Sequence, residues 1–85
     1  MKKTEQCAKE EVLVPAVSAG GLEEIRITKI DEQQFVLSVK LYSKRDRIFL
    51  STRRNPHQPR IFKRVDVAIR IGSQLFGAKR FLVVL

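Results

Sequence analysis

The sequence predicts an α+β domain with the element order β-β-β-α-β, a mostly antiparallel sheet carrying one helix packed on one face. Three observations lead there. Residues 22–53 contain three apolar stretches that alternate with a period of two, separated by short polar breaks. Residues 59–77 instead repeat their apolar positions with the period of a helix. The last six residues, Arg80-Phe81-Leu82-Val83-Val84-Leu85, are apolar on both faces of an extended chain and supply a closing strand.

Residues 1–21 stand apart as a flexible N-terminal arm, leaving 22–85 as the single domain. The arm has a mixed-charge start, an apolar stretch Val12-Leu13-Val14 stopped by Pro15, and then Ser18-Ala19-Gly20-Gly21. An edge strand at Val12 to Val14 is the structured alternative, because an edge tolerates Pro15. In the first strand of the domain Ile25 and Ile27 alternate with Arg26 and Thr28. After the polar break 31–34, Phe35, Leu37, Val39 and Leu41 alternate with Val36, Ser38, Lys40 and Tyr42, the clearest strand pattern in the chain. A second break, 43–46, precedes a third strand over 47–53, with Ile48 and Leu50 on one face and Arg47, Phe49, Ser51 and Arg53 on the other. Short breaks between such strands predict an antiparallel meander.

The stretch Arg54-Asn55-Pro56-His57-Gln58-Pro59 ends the meander, since both prolines lack an amide donor and restrict the residue before them. Pro59 suits a first helical turn. From there Ile61, Phe62, Val65, Ala68, Ile69, Leu75 and Phe76 fall within about 140° of arc at ~100° per residue, and Gly77 supplies a stop. The opposite side carries Arg60, Lys63, Arg64 and Arg70, together with Val67 and Ile71, which are either partly covered or form a contact with another chain. The final strand, apolar on both sides, is expected inside the sheet rather than at its edge.

Charge is unevenly distributed. Residues 35–85 carry +10 and residues 1–34 carry −2, giving the net +8 of the chain. An excess so localised predicts a surface that faces a polyanion. If the helix covers the Leu37 and Val39 side of the sheet, the other side displays cations, hydroxyls and two aromatics. There Lys40, Arg47 and Arg53 can pair with phosphates, while Tyr42 and Phe49 can stack on unpaired bases or fill a groove. A solvated polar face is the plain alternative, common in antiparallel sheets. A second cluster, Arg53, Arg54, Arg60, Lys63 and Arg64, surrounds the expected helix start, where unpaired amides already favour anions. Its plain alternative is a solubilising loop.

Catalysis finds little support in the residues. The single cysteine, Cys7, excludes an intramolecular disulfide and a multi-cysteine zinc site, and His57 has no second histidine beside which to bind a metal. The glycines form no phosphate-loop pattern. We therefore expect a non-enzymatic protein with no cofactor. With no signal-peptide pattern and no apolar run of membrane-spanning length, the sequence also predicts a cytoplasmic protein without a membrane partner.

The stretch Ile48-Phe49-Leu50-Ser51-Thr52-Arg53-Arg54, followed by Pro59-Arg60-Ile61-Phe62-Lys63-Arg64-Val65-Asp66-Val67-Ala68, resembles small accessory proteins encoded beside partition genes on plasmids and integrated mobile elements. The resemblance covers about the C-terminal half. It implies a role in maintaining or regulating mobile DNA and assigns no catalytic residue. The expected function is thus a basic nucleic-acid-binding module, DNA ahead of RNA, with a protein adaptor or small homodimer binding an acidic partner as the alternative.

Overall fold

A computed structural model describes residues 6–85. The chain runs β1 (Gln6–Lys9), α1 (Glu10–Gly20), β2 (Leu22–Asp31), β3 (Gln34–Leu41), β4 (Ile48–Ser51), α2 (Val65–Phe76) and β5 (Leu82–Val84). The strands form one sheet in the order β1-β4-β3-β2-β5. The α+β class agrees with the sequence, but the sheet is mixed and has two helices. β2, β3 and β4 make the expected antiparallel meander, while β1 pairs parallel with β4 and β5 parallel with β2.

Topology decides which face is bare. These pairings make β1, β4, β2 and β5 point the same way, so β1-α1-β2 and β4-α2-β5 are both crossovers between parallel strands. Both move across the sheet in the same direction. Because such crossovers are right-handed, α1 and α2 must lie on the same side. They contact each other there and share one core. Both helices consequently start at the end of the sheet where β1 and β4 finish.

The core explains the principal departure from the sequence reading. Residues 6–20, assigned to a flexible arm, form β1 and α1, and Leu13 and Val17 are buried four residues apart on one helix face. Burial of two such side chains contributes roughly 3–6 kcal/mol, enough to offset the ~3 kcal/mol cost of Pro15 inside the helix. The apolar run that suggests an edge strand is therefore helical. Residues 1–5 of the expected arm lie outside the described residues. Across the β2–β3 ladder, Ile27 faces Leu37 and Ile25 faces Val39, and all four are buried beneath the helices.

α2 starts at Val65, not at Pro59. Its close approach to the sheet depends on Gly72, where a Cβ would sit 2.7 Å from the Phe81 ring and 3.2 Å from Leu37. Gly77 ends the helix in the left-handed region, as expected from sequence. Residues 59–62 are extended: Phe62 exchanges backbone hydrogen bonds of 2.8 Å with Phe35 in both directions, and the Arg60 amide donates to the Leu50 carbonyl at 2.7 Å. The Phe62 side chain is thereby buried without a helix. The helical stripe continues numerically through Ile61 and Phe62, but sheet pairing satisfies their backbone instead.

β5 also departs from expectation, because it is an edge strand and Leu82, Val83 and Val84 are all exposed. It has β2 on one side and no strand among the described residues on the other. A run apolar on both faces therefore marks an uncovered edge here, not a central strand.

Candidate nucleic-acid interface

The face opposite the helices is built by strand register. Arg26 stands beside Ser38, and Ser38 beside Phe49, so these three form one row across β2, β3 and β4. Thr28, Lys40 and Ser51 share the face by the period of two. Arg26, Lys40 and Arg47 on this face are partnered. Glu24 Oε1 accepts Arg47 Nη1 at 2.8 Å and Arg26 Nη2 at 3.2 Å, and Arg47 Nε donates to Ser38 Oγ at 3.0 Å. Lys40 Nζ pairs with Glu23 at 3.3 Å and also donates to the carbonyls of Leu41 and Lys44. The acidic residues doing this belong to the N-terminal third, and the β2–β3 ladder brings them alongside the basic segment.

The connection from β4 to α2 has a different balance. Arg53 pairs with Glu11 of the first turn of α1 at 2.6 Å, and Arg64 holds Asp66 through Nε at 3.1 Å and Nη2 at 3.0 Å. Both pairs are open to solvent, with Arg53 and Arg64 side chains 81% and 73% exposed, so each is weak and yields readily to a competing anion. Arg54 and Lys63 are exposed and form no ion pair with another described residue. The Glu11 carboxyl is held below the ordinary glutamate range, chiefly by a backbone hydrogen bond at the helix start and then, against some burial, by Arg53 and Lys9. Arg60 turns back over the Phe62 ring, 4.8 Å from its centre.

Comparison with protein-family models, with curated proteins and with solved structures returned no match to this chain. Its functional reading rests on this geometry.

The nine sequence-predicted site residues divide by position. Arg53 and Arg54 follow β4, with Arg53 held against the first turn of α1, whereas Lys63 and Arg64 directly precede α2, so each pair adds cations at a helix N-terminus. Arg60 lies in the same connection but stacks on Phe62. Lys40, Arg47 and Phe49 occupy the bare sheet face. Tyr42 is exposed at the opposite end of β3, where its ring lies beside Gly21.

Sequence reasoning missed an apolar depression on the bare face. Val36, Thr28 and Ile30 line it from the sheet, Phe49 from β4, and Pro59 and Ile61 from the returning extended segment. The helical assignment over 59–64 hid this site. In an extended chain Pro59 and Ile61 share one side while Arg60 and Phe62 share the other, so alternation in Pro59-Arg60-Ile61-Phe62 is the signal that locates it.

Proposed function

We propose that this protein is a non-enzymatic nucleic-acid-binding module, with DNA ahead of RNA, whose phosphate contacts come mainly from the β4–α2 connection. The observation that carries the reading is that Arg53, Arg54, Lys63 and Arg64 are all exposed in the β4–α2 connection, Arg53 against the first turn of α1 and Lys63 and Arg64 directly before α2, whereas Arg26, Lys40 and Arg47 of the sheet face already have carboxylate partners. Cations clustered at helix N-termini oppose the helix dipole. An anion placed among them removes that repulsion and accepts the unpaired amides. The resemblance to partition-associated proteins adds a context for this module, the maintenance or regulation of mobile DNA.

Titration against duplex DNA, single-stranded DNA and RNA at two salt concentrations tests the reading. Neutralising three or four phosphates gives a slope of log affinity against log salt of about −3 to −4 on duplex DNA. Absence of binding to all three at low salt would overturn it.

A second reading, self-association or protein docking, is favoured by one observation: the apolar, uncovered edge of β5. Such an edge offers unpaired backbone groups to another strand. Val67 and Ile71, the contact residues suggested by sequence, are half-buried and pack against the core instead. Sizing of the wild type and Val83→Lys decides this reading. A dimer that becomes monomeric on substitution supports it, and a monomeric wild type removes self-association.

A further inference from the structure

The bare face holds both apolar surface and orphaned hydrogen-bond donors. The depression there has a volume of about 430 Å³, within the range of roughly 300–1,000 Å³ typical of small-ligand sites. Val36 is buried although no helix among the described residues covers this side of the sheet, whereas Ile30 and Ile61 stand 52% and 45% exposed around it. Arg26 also lines the depression. Its Nη2 holds Glu24, but its Nε is shielded from solvent and finds no acceptor among the described residues. Arg47 Nη2 and Ser51 Oγ, elsewhere on this face, are likewise shielded and unpartnered.

We propose that this depression receives one unpaired base of a single-stranded nucleic acid, stacked against Phe49 with its acceptor edge toward the Arg26 guanidinium. The proposal rests on the nucleic-acid reading above and specifies a base site for it. Three features select this occupant. A flat ring with acceptors on its edge matches an apolar slot bordered by an aromatic ring and a guanidinium. Ile61, on the rim of the depression, stands two residues before the exposed Lys63, which supplies a cation for the phosphate of a base seated here. An apolar peptide side chain offers no acceptor to the Arg26 guanidinium; a base does.

The experiment compares an oligothymidine of about 12 nucleotides with an abasic strand of the same length and charge, using the intact chain. One stacked base worth ~1–3 kcal/mol gives oligothymidine a roughly 5- to 150-fold preference with an unchanged salt slope. Ile30→Ser combined with Ile61→Ser, both at exposed positions, reduces that preference without altering binding of the abasic strand. Arg26→Lys does the same while retaining the positive charge. Methyl NMR on the wild type gives a variant-free readout: Ile30, Val36 and Ile61 shift on adding oligothymidine and stay in place on adding the abasic strand.

Equal affinity for both strands would overturn the base site while leaving the phosphate contacts standing. No binding to either strand would remove the functional reading itself. A thymidine preference that survives the Ile30 and Ile61 substitutions places the base elsewhere, and methyl shifts that follow protein concentration without nucleic acid assign the depression to a second copy; either result overturns the proposal.

Discussion

The cations of the bare sheet face and those of the β4–α2 connection are the same residue types, and Lys40 and Arg47 share the basic half of the chain with the connection, yet folding employs them differently. On the sheet, Glu23 and Glu24 of β2 lie beside β3 and take up Lys40, Arg26 and Arg47. In the connection, Arg54 and Lys63 meet no carboxylate among the described residues, and the pairs of Arg53 and Arg64 are solvent-exposed. Linear charge counting treats the two groups as equal. The difference teaches that a basic excess in sequence becomes a binding surface only where the antiparallel partner strand does not return acidic residues to it.

Charge reversal in the connection is the strongest way to break this comparison. Arg54→Glu with Lys63→Glu is expected to lower duplex DNA affinity at least about 50-fold at ~0.1 M salt and to flatten the salt slope by roughly two units. Fluorescence anisotropy across a salt series reads both quantities, and an unchanged slope would place the phosphate contacts elsewhere.

Removing the shared carboxylate tests the other region. Glu24→Gln leaves the Arg26 and Arg47 guanidinium groups without their ionic partner, so urea denaturation should show a loss of about 1–2 kcal/mol, kept modest because Glu24 remains 36% exposed. DNA affinity should rise a few-fold in the same variant, because the sheet face gains net positive charge. A fall in affinity would contradict the assigned division of labour.

Single neutralisations sharpen the contrast. Lys63→Gln is expected to weaken binding roughly five- to eightfold at ~0.1 M salt, whereas Lys40→Gln, already paired with Glu23, changes it less than about twofold. Equal effects from the two variants would show that the ion pairs of the sheet face open when nucleic acid binds.

The smallest effect concerns pH. The folded-state value of Glu11 is depressed, so its contribution to stability is complete above the ordinary glutamate range and lost as pH falls through the lower folded value. Arg53→Gln removes part of that depression. Urea midpoints of wild type and variant should differ slightly near neutrality and converge in acid, and a gap that persists there would assign the effect to packing instead of charge.

Much of the meander was legible from the sequence because one face of each strand is apolar: Ile25 and Ile27, then Leu37 and Val39, carry a period of two. Gly77 was legible because a left-handed helix cap favours that residue. The first helix was not. Pro15 and the two glycines signal a break locally, and only the docking of Leu13 and Val17 onto the sheet overrides them. The start of α2 was misplaced for a related reason, since Ile61 and Phe62 satisfy a helical stripe and an extended bridge equally well until Phe35 offers its backbone.

The candidate surface divides along the same line. Residue types and their clustering at Arg53 to Arg64 were fixed by the chain, as were the alternating faces of β2 and β3, because charge and side-chain period are local properties. The tertiary structure decided which cations remain available, which face stays bare and where an apolar depression opens. Those outcomes depend on strand order, on two parallel crossovers of one hand and on the partners that residues far apart in sequence find when the sheet closes.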